Sequence, residues 1–294
     1  MAEFRGDQAA GLRRLLGRPR LSVVTFVAGS TGVGKSVSVA NLAASLARQG
    51  REVLVVDENT DDGIAGFYGV VTAHDLQQVV DREKVLADVL LPVAPGIRVL
   101  PAARLVKQLA RLDDAEQRIL LECLAEMTPP ADVVLVDTSL DHPLGFSPLG
   151  LAAHETVIVV SPNGAAITEA YALIKKVSLG YARKHFRILV SQVRLASEAQ
   201  AIHDNMARVT GSRQLARLDY AGYVPVDERL RQASRLCQPI AGLFPDSPAA
   251  RAYQTVANEM LNWPADHDEA GGLEYFVQQL LHWSQRINPT AIYA

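Results

Sequence analysis

Residues 29–36 read GSTGVGKS and satisfy the pattern G-x-x-x-x-G-K-(S/T). The pattern carries physical meaning between a strand and a helix, where a glycine-rich turn can wrap its backbone N–H groups around phosphate oxygens at a helix N-terminus. Both neighbours fit. Residues 21–28 (LSVVTFVA) are a compact β-branched run, and residues 37–48 have alanine-rich helical character that ends at Gly50. Gly29, Gly32 and Gly34 supply the backbone freedom, Lys35 can reach the β- and γ-phosphate oxygens, and Ser36 can ligate Mg2+. Ser30, Thr31 and Val33 complete the predicted cofactor-binding stretch. The plainer alternative is a glycine turn that only starts a helix.

Working outward, short apolar runs recur at residues 52–57 (EVLVVD), 132–137 (DVVLVD), 156–161 (TVIVVS) and 186–190 (FRILV), separated by segments that suit helices. Continuous apolar strands are buried on both faces. They predict an α/β fold with one doubly wound, mostly parallel sheet flanked by helices, in the manner of a P-loop NTPase. Shorter strand candidates stand at residues 97–100 and near 223–226. The sheet domain is predicted over residues 21–261. Before it, residues 7–16 look like a short helix and 17–20, with Pro19, like a linker; after it, 262–272 are acidic and contain glycine, and a last helix covers 273–286.

Asp57 and Asp137 end predicted buried strands, so their carboxylates face the crevice that holds the phosphate loop. Asp137 suits a Mg2+ site reached through water, and Asp57 a position next to the γ-phosphate; the bland alternative for each is a cap on the next turn.

The 294 residues are 49% hydrophobic, enough for a sizeable core, and the formal net charge is −3 with no long run of one sign. Composition therefore offers no electrostatic footprint for nucleic acid. Cys123 and Cys237 lack ligand or redox spacing, and no leader or spanning stretch is present, which predicts a cytoplasmic chain with isolated thiols.

The phosphate loop, the VVD after the next strand and the distant VLVD together resemble the MinD/ParA-type deviant Walker ATPases, which bind ATP with Mg2+ and dimerise around it. More specifically, DQAAGLRRL at residues 7–15, ITEAYALIKKV at 167–177, GYVPVDERLRQA at 222–233 and LFPDSPAARAY at 243–253 are similar to FlhG-type regulators of flagellar number and placement. That resemblance implies that the N-terminal helix engages an FlhF-type GTPase, with Gln8 completing the partner's active site and Asp7, Leu12 and Arg13 in the contact. Flagellar switch (C-ring) proteins and a flagellar transcription activator are further partners implied by the family. It also implies a homodimer when ATP is bound and peripheral contact with the inner face of the membrane at the cell pole.

Two positions depart from the family. Its signature lysine, five residues before the loop lysine, is Ser30 here, and its water-orienting aspartate is Asn59. Serine cannot neutralise developing phosphate charge and asparagine cannot accept a proton, so the expectation is nucleotide binding with slow hydrolysis. Ser191 and Gln192 also lack an asparagine that contacts adenine in relatives.

In the last helix Leu273, Phe276, Val277, Leu280 and Leu281 form one apolar face. The resemblance implies a membrane-sensing helix; permanent docking on the core is the alternative, because the polar face holds only Arg286 as an assured cation. Competing readings are a partner-binding pseudo-ATPase, a DNA-partitioning ATPase, which lacks a basic stripe, and a P-loop kinase, which lacks an acceptor site. Lys175, Lys176, Arg183, Lys184 and Arg187 are the densest basic cluster and read as a solvated face.

Overall fold

The computed structural model describes residues 21–59, 63–140, 146–263 and 273–286. The predicted helix carrying Asp7, Gln8, Leu12 and Arg13 lies outside them. Among the described residues one sheet has the order β3-β4-β2-β5-β1-β6-β7-β8. The strands are β1 (Ser22–Ala28), β2 (Val53–Asp57), β3 (Leu91–Ala94), β4 (Ile97–Pro101), β5 (Val133–Asp137), β6 (Glu155–Val160), β7 (His185–Val193) and β8 (Arg217–Pro225). All pairings are parallel except β3 with β4. The chain builds β2 to β5 on one side of β1 and β6 to β8 on the other, so β1 sits where the order reverses, the usual place for a ligand crevice.

Alternate side chains of each strand enter different layers. Val53 and Val55 join Leu42 and Leu46 of α1 (Lys35–Ala47). Leu54 and Val56 face Leu120 and Leu124 of α2 (Asp114–Ala125) and Leu149 of α3 (Pro148–Ala152). Ile158 and Ile188 pack with Ile174 of α4 (Gly164–Tyr181) and Met206 of α5 (Ala196–Ser212), while Tyr253 and Val256 of α6 (Pro248–Met260) join the α1 layer. Burial on both faces explains why these strands read as unbroken apolar runs.

Three elements depart from the sequence reading. β3 was not expected; it is four residues long, contains Pro92, and pairs through a tight turn at Pro95 and Gly96, whose φ is 73°. β8 begins at Arg217, several residues before the predicted start. β7 extends to both sides of 186–190, and its polar Arg187 is neutralised within the sheet: Nε and Nη2 each donate to Glu155 at 3.0 Å, and the guanidinium lies 4.2 Å over the Trp263 ring. Arg187 is therefore buried in the sheet, and Arg183 donates to the carbonyls of Leu151 and His154, so the five basic residues do not make one solvated face.

Candidate functional site

The phosphate loop joins β1 to α1 as predicted. Gly34 lies in the left-handed region (φ 84°) just before α1, and its carbonyl accepts the first helical bond from Ser38 N at 2.9 Å. Gly29 is fixed by packing. A Cβ there would stand 2.4 Å from the carbonyl carbon of Glu169 in α4, so no side chain fits without moving a helix. At the other end of the loop the Ser191 hydroxyl donates to the Val33 carbonyl, and Gln192 Nε2 donates to Gly32 O at 2.8 Å. Ser191 and Gln192 thus hold the loop from the end of β7, a role that no local pattern announces.

Asp57 and Asp137 are partners in register at the carboxyl ends of β2 and β5, and both are buried. Lys35 Nζ forms an ion pair with Asp137 Oδ1. Asn59 Nδ2 bridges the two carboxylates, donating to Asp57 Oδ1 and to Asp137 Oδ2 at 2.8 Å each. Asp57 Oδ2 accepts from Ile64 N at 2.6 Å, so the capping alternative is realised for this carboxylate. Burial and then the neighbouring Asp137 push the Asp57 carboxyl up to about 6. In this nucleotide-free arrangement the Asn59 amide is engaged by both carboxylates, where it does part of a cation's work.

These donors fit Mg2+. Two hard carboxylates drawn together by one amide, with the Ser36 hydroxyl next to Lys35, make an oxygen set that phosphates would complete. Among the described residues no group of three or more His, Cys, Asp or Glu side chains is placed to hold a metal ion by itself. Bound in this way, Mg2+ would neutralise phosphate charge. Lys35 would have to leave Asp137 to reach the same phosphates. A cavity of about 430 Å³ lined by Glu52, Pro95, Arg98 and Pro129 lies at the opposite ends of the strands and includes none of the predicted site residues.

Glu58, which sequence reading passed over, is buried between the site strands. Its Oε1 accepts from the Ser147 hydroxyl and its Oε2 from Ser139 N at 3.0 Å. Burial pushes its carboxyl up to about 7 from an ordinary 4.5. The unfolded chain therefore ionises first: the stabilisation is complete below pH 4.5 and is lost as pH rises through 7. In the nucleotide-free protein, Glu58→Gln is expected to flatten the fall of Tm between pH 5 and 8, read by differential scanning fluorimetry. Parallel Tm profiles for wild type and variant would rule this out.

A family profile described as the CobQ/CobB/MinD/ParA nucleotide binding domain matches residues 24–240, and antiactivator FleN of Pseudomonas aeruginosa is 31% identical over 266 residues, covering 89% of this chain and 94% of that protein. The chain belongs to the MinD/ParA-like ATPase family. Flagellum site-determining protein YlxH of Helicobacter pylori is 25% identical over 88% of the chain and 90% of its own length, which with FleN places this member in the FlhG-type branch. The MinD cell division protein of Aquifex aeolicus superposes with a TM-score of 0.63 at 18% identity, covering 83% of this chain and 98% of that one, a likeness of fold.

In this MinD/ParA-type chain the terminal helix α7 (Leu273–Arg286) lies on the core. Phe276, Val277, Leu280 and Leu281 are buried with Leu109, Leu120, Leu149 and Ala152; the Leu273 side chain is outside the described residues. The apolar face offered to a membrane is thus already covered in this conformation. Burying a large apolar side chain stabilises by roughly 1.5–3 kcal/mol whether the destination is core or acyl chain, so leaving the core gains little unless something unseats the helix. No helix among the described residues is long and apolar enough to cross a membrane. Cys123 and Cys237 are free thiols, and burial pushes Cys123 up to about 11.

Proposed function

We propose that this protein is an ATP-binding regulator of flagellar number and placement that binds and stimulates an FlhF-type GTPase. One observation carries the reading: the phosphate loop, Lys35 and the paired Asp57 and Asp137 converge in a chain whose similarity to an antiactivator and to a flagellum site-determining protein runs nearly end to end. ATP with Mg2+ binds at residues 29–36, with Ser36, Asp57 and Asp137 toward the ion, and favours a homodimer. Hydrolysis is slow, because Ser30 offers no cation to a partner's phosphates and Asn59 accepts no proton. A flagellar transcription activator and switch (C-ring) proteins are the further partners, reached from the cytoplasm or from the inner face of the membrane at the pole.

The second reading is a pseudo-ATPase that acts as a partner-binding module. The Asn59 amide donating to both carboxylates favours it, since the free site is satisfied without a catalytic water. In both readings Gln8 supplies catalysis inside the partner GTPase by positioning water, with Asp7, Leu12 and Arg13 making the contact. DNA partitioning is disfavoured by the net charge of −3 and by burial of Arg187.

Gln8→Ala is expected to abolish stimulation of FlhF GTP turnover while leaving nucleotide binding by this chain intact. Stimulation equal to wild type would remove the partner claim and leave the fold untouched.

A further inference from the structure

Arg98 occupies a strand position that its neighbours in the sheet give to apolar residues. It lies in register between Leu54 of β2 and Pro92 of β3, follows the buried Ile97, and is only 9% exposed. Burial pulls its guanidinium below the ordinary value, and the Glu52 carboxylate, with Oε2 at 4.0 Å from Nη2, restores only part. Nη2 donates to the carbonyl of Pro129, in the loop between α2 and β5. Nε and Nη1 are buried and, among the described residues, have no acceptor. A guanidinium carries five N–H donors, so much of its hydrogen-bonding capacity is unused where bulk solvent does not reach it. Leaving buried donors unpaired opposes folding, and an apolar side chain of similar length would avoid that cost.

The same side chain lines the cavity of about 430 Å³ at the far ends of the strands. Its other walls are largely apolar: Pro92, Val93 and Pro95 from the β3–β4 hairpin and Pro129 from the facing loop. A register shift between Pro92 and Ala94 bulges the edge strand at this rim. A space of that size suits a small organic group, and the walls select its charge. A phosphate dianion would meet Glu52 with a single guanidinium to offset it. A carboxylate carries one charge and can bridge Nη2 and a neighbouring guanidinium nitrogen. The flexible arginine stem can turn the guanidinium toward such a group without moving the strand. We propose that this cavity binds a carboxylate carried on an apolar body, with Arg98 as the residue that reads it. The carboxylate belongs either to a free acid or to the end of a peptide chain. The site shares no residue with the phosphate loop and does not depend on the nucleotide reading.

The test is an NMR titration of the nitrogen-labelled full-length chain with 3-phenylpropionate, a free acid, and with acetyl-Gly-Gly-Phe, a chain end, each beside its uncharged carboxamide. Saturable shifts are expected at the Arg98 Nε–H signal and at the backbone N–H groups of Val93 and Gly96, with each carboxamide bound about tenfold or more weakly than its acid. The acid that saturates at the lower concentration identifies the source. Arg98→Met is expected to lose the shifts at Val93 and Gly96 while binding Mg-ATP as wild type does in calorimetry. Val93→Trp fills the cavity, leaves Arg98 in place and loses them too; it carries the test if the Arg98→Met variant does not fold. No saturable shift with either acid, equal binding of acid and carboxamide, or wild-type shifts in both variants would overturn the proposal. Absence of ATP binding in the wild type overturns the nucleotide reading and leaves this one standing.

Discussion

The double substitution Ser30→Lys with Asn59→Asp is expected to raise ATP turnover by about 10²-fold or more, measured as phosphate release at saturating Mg-ATP. Lysine at 30 restores a cation that can cross to a partner's phosphates, and a missing cation of that kind costs about three orders of magnitude in related chemistry. Aspartate at 59 removes the amide that now bridges Asp57 and Asp137 and puts a proton acceptor in its place. It also adds a third carboxylate to a buried pair, so this variant should need more Mg2+ to reach its maximal rate. Lysine alone is expected to give the smaller gain. Turnover unchanged in the double variant would mean that something other than these two residues limits the reaction.

Lys35→Ala carries the second large effect, and it has two parts. In the free protein the ammonium is the cation paired with Asp137, whose side chain is fully buried. Removing one partner of a buried pair leaves an uncompensated charge, at a cost of about 3–5 kcal/mol. In the bound protein the same ammonium meets the phosphates, and loss of one strong charge-assisted contact lowers affinity by about 10²-fold. Lys35→Ala with Asp137→Asn separates the parts: stability should recover and binding should not. Urea melts read the first and calorimetry the second. Recovery of both together would deny Lys35 any role at the phosphates.

The features legible in sequence are those whose cause is local. The loop at 29–36 announces itself because glycine spacing, the loop lysine and the flanking strand and helix are contiguous. Asp57 and Asp137 were legible because a parallel strand ends at the crevice, so a terminal carboxylate has one direction to face. What held these pieces in place was not legible. Ser191 reaches Val33 across 158 positions and Glu58 reaches Ser147 across 89, and no periodicity encodes such contacts. From its type alone Asn59 is a residue that cannot accept a proton at the water-orienting position; its bridge between the two carboxylates shows only in the geometry. The apolar stripe of α7 was plain at i, i+3, i+4 spacing, yet the stripe alone does not say whether core or membrane covers it. Arg187 misled for the converse reason, since its charge is neutralised by Glu155 and Trp263, which lie far away along the chain.

Titration calorimetry of the full-length chain with Mg2+ and ATP bears most directly on the whole account. Saturable heat at one site per chain, weakened when Mg2+ is chelated, is the predicted result. Silence for both ATP and ADP would contradict it, because a glycine cradle, an ammonium and two converging carboxylates would then have no phosphate to serve.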